Sequence, residues 1–150
     1  VIHHLEREQV IPADIGRVWE DFATPANLDE MTPPDMAFEI VCGGEERMHA
    51  GQLIEYRVEV FPGWKTRWLT VIRHVCEGQY FVDEQRTGPY SFWYHEHHFE
   101  PVTGGVRIKD HIAYQLPFGV LGEMLHALVI RPRLEAIFDF RCSKIEELFG

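Results

Sequence analysis

The stretch FVDEQRTGPYSFWYHEHHF, Phe81 to Phe99, decides how this chain is read. Every second residue from Phe81 through Asp83 to Gln85, and again from Trp93 through His95 and His97 to Phe99, falls on one face, with Gly88-Pro89-Tyr90 as the turn between. Period-two spacing is the mark of β-strands, so the stretch is a hairpin. A core face would be aliphatic, and a solvent face would not carry Phe, Trp and Phe. An apolar surface with a few convergent polar groups is the pattern of a small-molecule cavity wall.

Strands surround the hairpin. Upstream, Gln52 to Phe61 places Ile54, Tyr56, Val58 and Val60 on one face and Glu55, Arg57 and Glu59 on the other. Pro62-Gly63 reads as a turn into Trp64 to Val75, where Trp64, Trp68 and Ile72 oppose Lys65, Arg67 and Arg73. Downstream, Thr103-Gly104-Gly105 turns into Val106 to Gln115, which groups Ile108, Asp110, Ile112 and Tyr114. Tight Gly and Pro turns between short strands argue for an antiparallel meander. Before the meander come a strand from Val1 to Ile11 and a helix from Ile15 to Ala23 capped by Asp14. A second short helix to Met31 follows, with Thr24 as cap and Pro25 at its first position, and then a short strand from Met36 to Cys42. After the meander, Phe118 to Phe149 reads as helix, with Leu121, Leu125, Leu128, Leu134, Phe138, Arg141, Ile145 and Leu148 as its stripe. Pro132 lies inside that helix and removes the hydrogen bond to the Leu128 carbonyl, so a kink or a junction of two helices is expected there.

Composition narrows the function classes. A chain of 150 residues, 45% hydrophobic and 25% charged, can bury a core as one domain and is neither disordered nor membrane-like. Its 24 acidic against 14 basic residues disfavour a nucleic-acid partner. No apolar run reaches the roughly 20 residues of a membrane span. The opening residues run straight into strand alternation, so no signal peptide is expected. Cys42, Cys76 and Cys142 form neither a disulfide framework nor a zinc pair, which makes buried, inert thiols in a reducing cytoplasm the simplest setting.

One strand, two short helices, about six antiparallel strands and one long terminal helix make an α+β chain whose sheet must be covered by that helix. Here the sequence resembles the START-like superfamily (SRPBCC), the group of birch-pollen-allergen relatives, lipid-transfer domains and polyketide cyclases. It is nearest to a branch described as ligand-binding or cyclase/dehydrase-like. The resemblance rests on His4-Leu5, Arg7 to Pro12, Trp19, Asn27-Leu28, Thr32-Pro33-Pro34, Gly51 and Tyr56. It is strongest across Phe81 to Phe99, and Asp110, Tyr114, Pro117, Phe138 and Arg141 complete it. It implies a helix-grip fold in one domain over residues 1–150: a curved antiparallel sheet of six to seven strands wrapped around a long C-terminal helix, with two short helices after the first strand. Pro132 is the place where the chain strains a continuous grip helix.

Paired strands bring same-face neighbours within about 5 Å, so His95, His97, Asp83 and Asp110 are within contact distance of one another. Several readings stay open for them. They satisfy one another inside the sheet; they orient a ligand; a His held by an Asp serves as general acid or base, with His95, His97 and Asp110 as candidates; or the two imidazoles share a metal with Asp83 or Asp110, the weakest reading because no full ligand set is evident. Arg141 pairs with a sheet carboxylate or meets an anionic ligand head. Glu6 and Glu8 share a face of the first strand with His4 and Val10, and solvent is the default for that face. No nucleophile motif, phosphate loop or dinucleotide fingerprint is present, and neither cofactor nor metal is assigned. The sequence therefore points to binding of a small hydrophobic or aromatic molecule by Tyr56, Trp68, Asp83, Gln85, Trp93, His95, His97, Asp110, Tyr114 and Arg141. A cofactor-free cyclase or dehydratase using a His–Asp pair is the alternative, and a structural or interaction protein with a collapsed cavity is a third reading. The oligomeric state is left open.

Overall fold

The hairpin that opens the sequence argument is the middle of a seven-stranded antiparallel sheet. The computed structural model describes residues 1–61 and 63–150, with Phe61 described by its backbone alone. The strands are β1 (His3–Ile11), β2 (Glu39–Cys42), β3 (Leu53–Phe61), β4 (Trp64–Cys76), β5 (Tyr80–Thr87), β6 (Phe92–Val102) and β7 (Gly105–Gln115). Their order across the sheet is β1-β7-β6-β5-β4-β3-β2, so the meander closes only when the first strand returns beside the last. Part of the expected Pro62-Gly63 turn lies outside the described residues; Gly63 itself has φ 81°, the left-handed region glycine favours.

Alternation fixes the faces. Along β6, Trp93, His95, His97 and Phe99 are all buried, and along β7 so are Ile108, Asp110, Ile112 and Tyr114. The register sets Phe81 opposite His97 and Asp83 opposite His95, then His97 opposite Asp110 and Trp93 opposite Tyr114. On the outer face of β1, Glu6, Glu8 and Val10 are exposed. Register shifts at three places in the β3–β4 and β4–β5 ladders bend the sheet toward the helix it encloses.

Helix α1 (Ile15–Phe22) starts where expected, with the Asp14 carboxylate accepting from the Gly16 and Arg17 amides at 3.0 and 3.3 Å. Its buried side chains Val18, Trp19 and Phe22 pack on Phe81 and Phe99. The second helix is a 3-10 helix, Pro25–Met31, and Thr24 does not cap it: its hydroxyl donates back to the Glu20 carbonyl at 2.8 Å. A further 3-10 turn at Pro34–Met36 takes Met36, expected to open the strand, and β2 begins only at Glu39.

The C-terminal helix is continuous but not uniform. Helix α2 (Gly119–Leu125) passes into a π-helical turn (His126–Ile130) and then into α3 (Arg131–Phe149). Because Pro132 cannot donate to Leu128, the chain widens the turn just before it. The expected stripe is buried only after that point, at Leu134, Phe138, Arg141 and Ile145. Leu121, Leu125 and Leu128 are exposed instead. The residue α2 buries is Gly122, where a Cβ would lie 2.0 Å from the Pro117 carbonyl oxygen just before the helix. The thiols also differ from expectation, since Cys42 is exposed and Cys76 and Cys142 are half-buried. Among the described residues no helix is long and apolar enough to cross a membrane.

Candidate functional site

Between the concave face of the sheet and α3 lies a cavity of about 190 Å³. The middle strands and α3 form its walls, and the segment from Leu28 to Phe38 closes one side with Met31, Met36 and Phe38. Trp68 and Trp93 meet edge to face with centroids 5.1 Å apart, and Tyr90 packs against both. Most of the lining is apolar; polar groups gather where β5, β6 and Arg141 converge.

That polar end is a chain of charges and rings. His97 Nε2 lies 2.6 Å from Asp83 Oδ2, and His95 Nε2 lies 2.8 Å from Asp110 Oδ1. Arg141 donates to both oxygens of Asp110 at 3.3 and 3.4 Å, and its Nη2 is 3.3 Å from His97 Nδ1. The rings of His95 and His97 stack at 3.6 Å, and Phe81 stacks on the other face of His97 at 4.1 Å.

Burial disfavours charge on every member, and the neighbours decide the outcome. Asp110 would be pushed up by burial, but the Arg141 charge and the hydrogen bonds from both imidazoles hold it well below the usual carboxylate range. Asp83 is likewise held low against burial by the imidazoles and Arg141. For His97, burial is outweighed by hydrogen bonds to Asp110 and Asp83 and by their charges, and its pKa is raised. His95 goes the other way: burial and the neighbouring His97 push it down to about 4 despite its carboxylate contacts. The two carboxylates thus face one guanidinium and an imidazole, His97, whose proton they help to hold, while the second imidazole, His95, is driven toward its neutral form. Burial also pushes the phenols of Tyr56 and Tyr90 up, so both remain hydrogen-bond donors.

Of the residues singled out from sequence, Tyr56, Trp68, Asp83, Trp93, His95, His97 and Arg141 line the cavity. Asp110 stands behind the imidazoles, 3% exposed. Gln85 is taken up by the hairpin turn, its side-chain amide donating to the Tyr90 carbonyl at 2.6 Å and accepting from the Tyr90 amide at 3.1 Å. Tyr114 sits in a neighbouring core cluster, with its hydroxyl 2.7 Å from His126 Nε2. Trp64, on the expected face but at the sheet's end, borders a separate apolar surface groove with Pro117 and Phe118.

Arg133 is a lining residue that sequence reasoning missed. It donates to Asp35 Oδ2 and the Val60 carbonyl, while its Nη2 is buried without a partner among the described residues. The signal was present, because Arg133, Ile137 and Arg141 recur every four residues on one helix face. Asp83, His95 and His97 also place possible metal-donor atoms within 4.8 Å of one another. A cation there would face the Arg141 guanidinium, and Asp83 is already engaged by His97.

No protein-family model matches the sequence, and no curated protein matches it. Solved structures do match in shape along nearly the whole chain. A START superfamily protein from Mycobacterium smegmatis aligns with a TM-score of 0.73 at 10% identity, over 98% of this chain and 97% of its own. Ginseng major latex-like protein 151 from Panax ginseng gives 0.72 at 13% identity, over 99% and 98%. The Zhui aromatase/cyclase from Streptomyces sp. R1128 gives 0.70 at 16% identity, over 100% and 98%. A curved seven-stranded antiparallel sheet closed on a long C-terminal helix, shared at this level with all three, is the START-like helix-grip fold.

Proposed function

We propose that the protein binds a compact, ring-bearing apolar molecule in the cavity between the sheet and α3. The observation that carries this reading is an aromatic-lined space with hydrogen-bonding groups left over at its margins. An apolar cavity of about 150 Å³ accommodates benzene, so 190 Å³ suits a small ring system better than a long acyl chain. The edges of Trp68, Trp93 and Tyr90 suit a flat guest. Asp83 offers a carboxylate acceptor beside the neutral His95, Tyr56 brings its phenol to the same lining, and the buried Arg133 Nη2 has no partner among the described residues. A guest with a hydroxyl or carbonyl on its ring would satisfy them.

A second reading has one specific observation in its favour. His95 is neutral, lines the cavity and is oriented by Asp110, which is the arrangement a general base requires. One structural neighbour is an aromatase/cyclase. His97, clamped between two carboxylates and Arg141, is the poorer base.

The test is native mass spectrometry of gently purified protein, followed by titration of the emptied protein with 1-naphthol while Trp68 and Trp93 emission is recorded. Saturable quenching, weakened in Tyr56→Phe or Asp83→Asn, is the expected result. A bare mass together with no saturable change would sink the binding reading. Turnover lost in His95→Gln with binding retained would promote the second.

A further inference from the structure

A second cluster of donor atoms lies outside the cavity, where the first strand meets the terminal helix. His3 opens β1 opposite Tyr114, and Glu123 and His126 stand three residues apart on the turn that leads from α2 into the π-helical segment. That spacing puts both on one helical face. His3 Nε2 is 2.8 Å from Glu123 Oε2, and the His3 and His126 rings lie face to face at 3.6 Å and 14°. One donor atom from each of the three residues falls within 4.8 Å of the others.

We propose that His3, Glu123 and His126 bind a first-row transition-metal ion of the Zn²⁺ type, with solvent completing the coordination. Two imidazoles and one carboxylate are a donor set such ions favour. Bonds of about 2.0–2.1 Å at a tetrahedral ion set neighbouring ligand atoms roughly 3.3 Å apart; here His3 Nε2 and Glu123 Oε2 are 2.8 Å apart and all three donors lie within 4.8 Å. The ion would take the place of the proton that His3 now shares with Glu123, and one of the two rings would turn out of the stack to bring its lone pair onto the ion. On His126 the free donor is Nδ1, because Nε2 is engaged with the Tyr114 hydroxyl at 2.7 Å. Such an outer hydrogen bond fixes the tautomer and orientation of a ligating imidazole. All three donors are half-buried, so the ion has both a route in and a partly shielded seat. Bound there, it would clamp the start of the terminal helix to β1.

Neighbouring clusters define the controls. His4 and His111 meet on the outer sheet face at 3.0 Å, and His95 and His97 line the cavity. The experiment is calorimetric titration of the tag-free, chelator-stripped full chain with Zn²⁺, alongside melting curves with and without the metal. We expect one Zn²⁺ step and a higher Tm in its presence. Glu123→Gln and His126→Gln should abolish the step, and Tyr114→Phe should weaken it about tenfold. His95→Gln and His111→Asn should leave it intact. If either ligand variant melts early without metal, His3→Gln carries the test, since it changes a side chain at the start of an edge strand. Absence of a saturable step, persistence of the step in the ligand variants, or its loss in His95→Gln or His111→Asn would each overturn the assignment.

Discussion

Replacing His95 with glutamine should change the way the protein responds to acid, and the size of the change follows from the polar end of the cavity. His95 is 6% exposed, and its pKa is pushed down to about 4. In the unfolded chain it returns to about 6.5. Between those values the unfolded state holds a proton on His95 that the folded state refuses, so folding loses stability as the pH falls. Over about 2.5 pH units, at roughly 1.4 kcal/mol per unit, the loss is on the order of 3 kcal/mol. The other members of the cluster act elsewhere. His97, with its pKa raised, contributes stability that is complete below its unfolded value and lost as the pH rises through its folded one. Asp83 and Asp110, both lowered, contribute stability that is lost only below the ordinary carboxylate range. Glutamine can still donate to Asp110 but forfeits the ring stack on His97, so the variant should be less stable at pH 7 by about 1–2 kcal/mol. By pH 4 the order should reverse. Urea unfolding followed by tryptophan emission at several pH values from 4 to 7 reads the difference directly, and titrations away from the cluster cancel between the two proteins. A stability difference that stays constant across that range would refute the neutral, buried state of His95.

Three further outcomes are expected. Arg141→Met leaves the Asp110 charge buried with only imidazoles around it and should cost about 3–5 kcal/mol in urea unfolding; a cost below about 1 kcal/mol would mean that the two imidazoles satisfy Asp110 by themselves. Gly122→Ala would normally favour a helix by about 1 kcal/mol, yet here the added methyl meets the Pro117 carbonyl, so Tm should fall; a rise in Tm would disprove the close approach of α2. Asp14→Ala removes the acceptor for two amides at the start of α1 and should cost about 1 kcal/mol, read from the urea midpoint, and no change there would show that the cap is solvated rather than structural.

The parts of the fold that could be read from sequence are those where a physical period maps onto a single geometry. Alternation from Phe81 to Phe99 has one hairpin solution, and the turn at Gly88-Pro89-Tyr90 sets its register, which is why Asp83 meets His95 and Phe81 meets His97 as neighbours. Alternation on β7 then brings Asp110 beside His97. Helical periodicity is weaker information: it names a stripe without saying what the stripe meets. Leu121, Leu125 and Leu128 continue the pattern of α3 and are still exposed, while the residue that α2 buries is Gly122. The same limit hid the His3–Glu123–His126 cluster, whose members are 120 residues apart or more across the His3 contacts and meet only because β1 returns beside β7. Gln85 shows a different limit. It lies on the face that alternation assigns, but its amide is spent on the turn, and side-chain hydrogen bonding is not visible in a period.

The charge count at the polar end bears on which guests the proposed cavity could accept. Asp83 and Asp110 face Arg141 and His97, whose pKa is raised by them, and Arg133 is paired with Asp35. An anionic guest would have to compete with Asp110 for Arg141, whose guanidinium already donates to both of its oxygens. A cationic guest would find Asp83 held by His97 and would lie near a guanidinium. Either ion would surrender its hydration without gaining a dedicated counter-charge, a cost of several kcal/mol. A neutral guest meets no such penalty. It would exchange water for an aromatic wall and could take a hydrogen bond from Arg133 Nη2, which is buried without a partner among the described residues. If the cavity binds as proposed, the same network that lowers His95 to about 4 would favour neutral ring compounds over acids and amines.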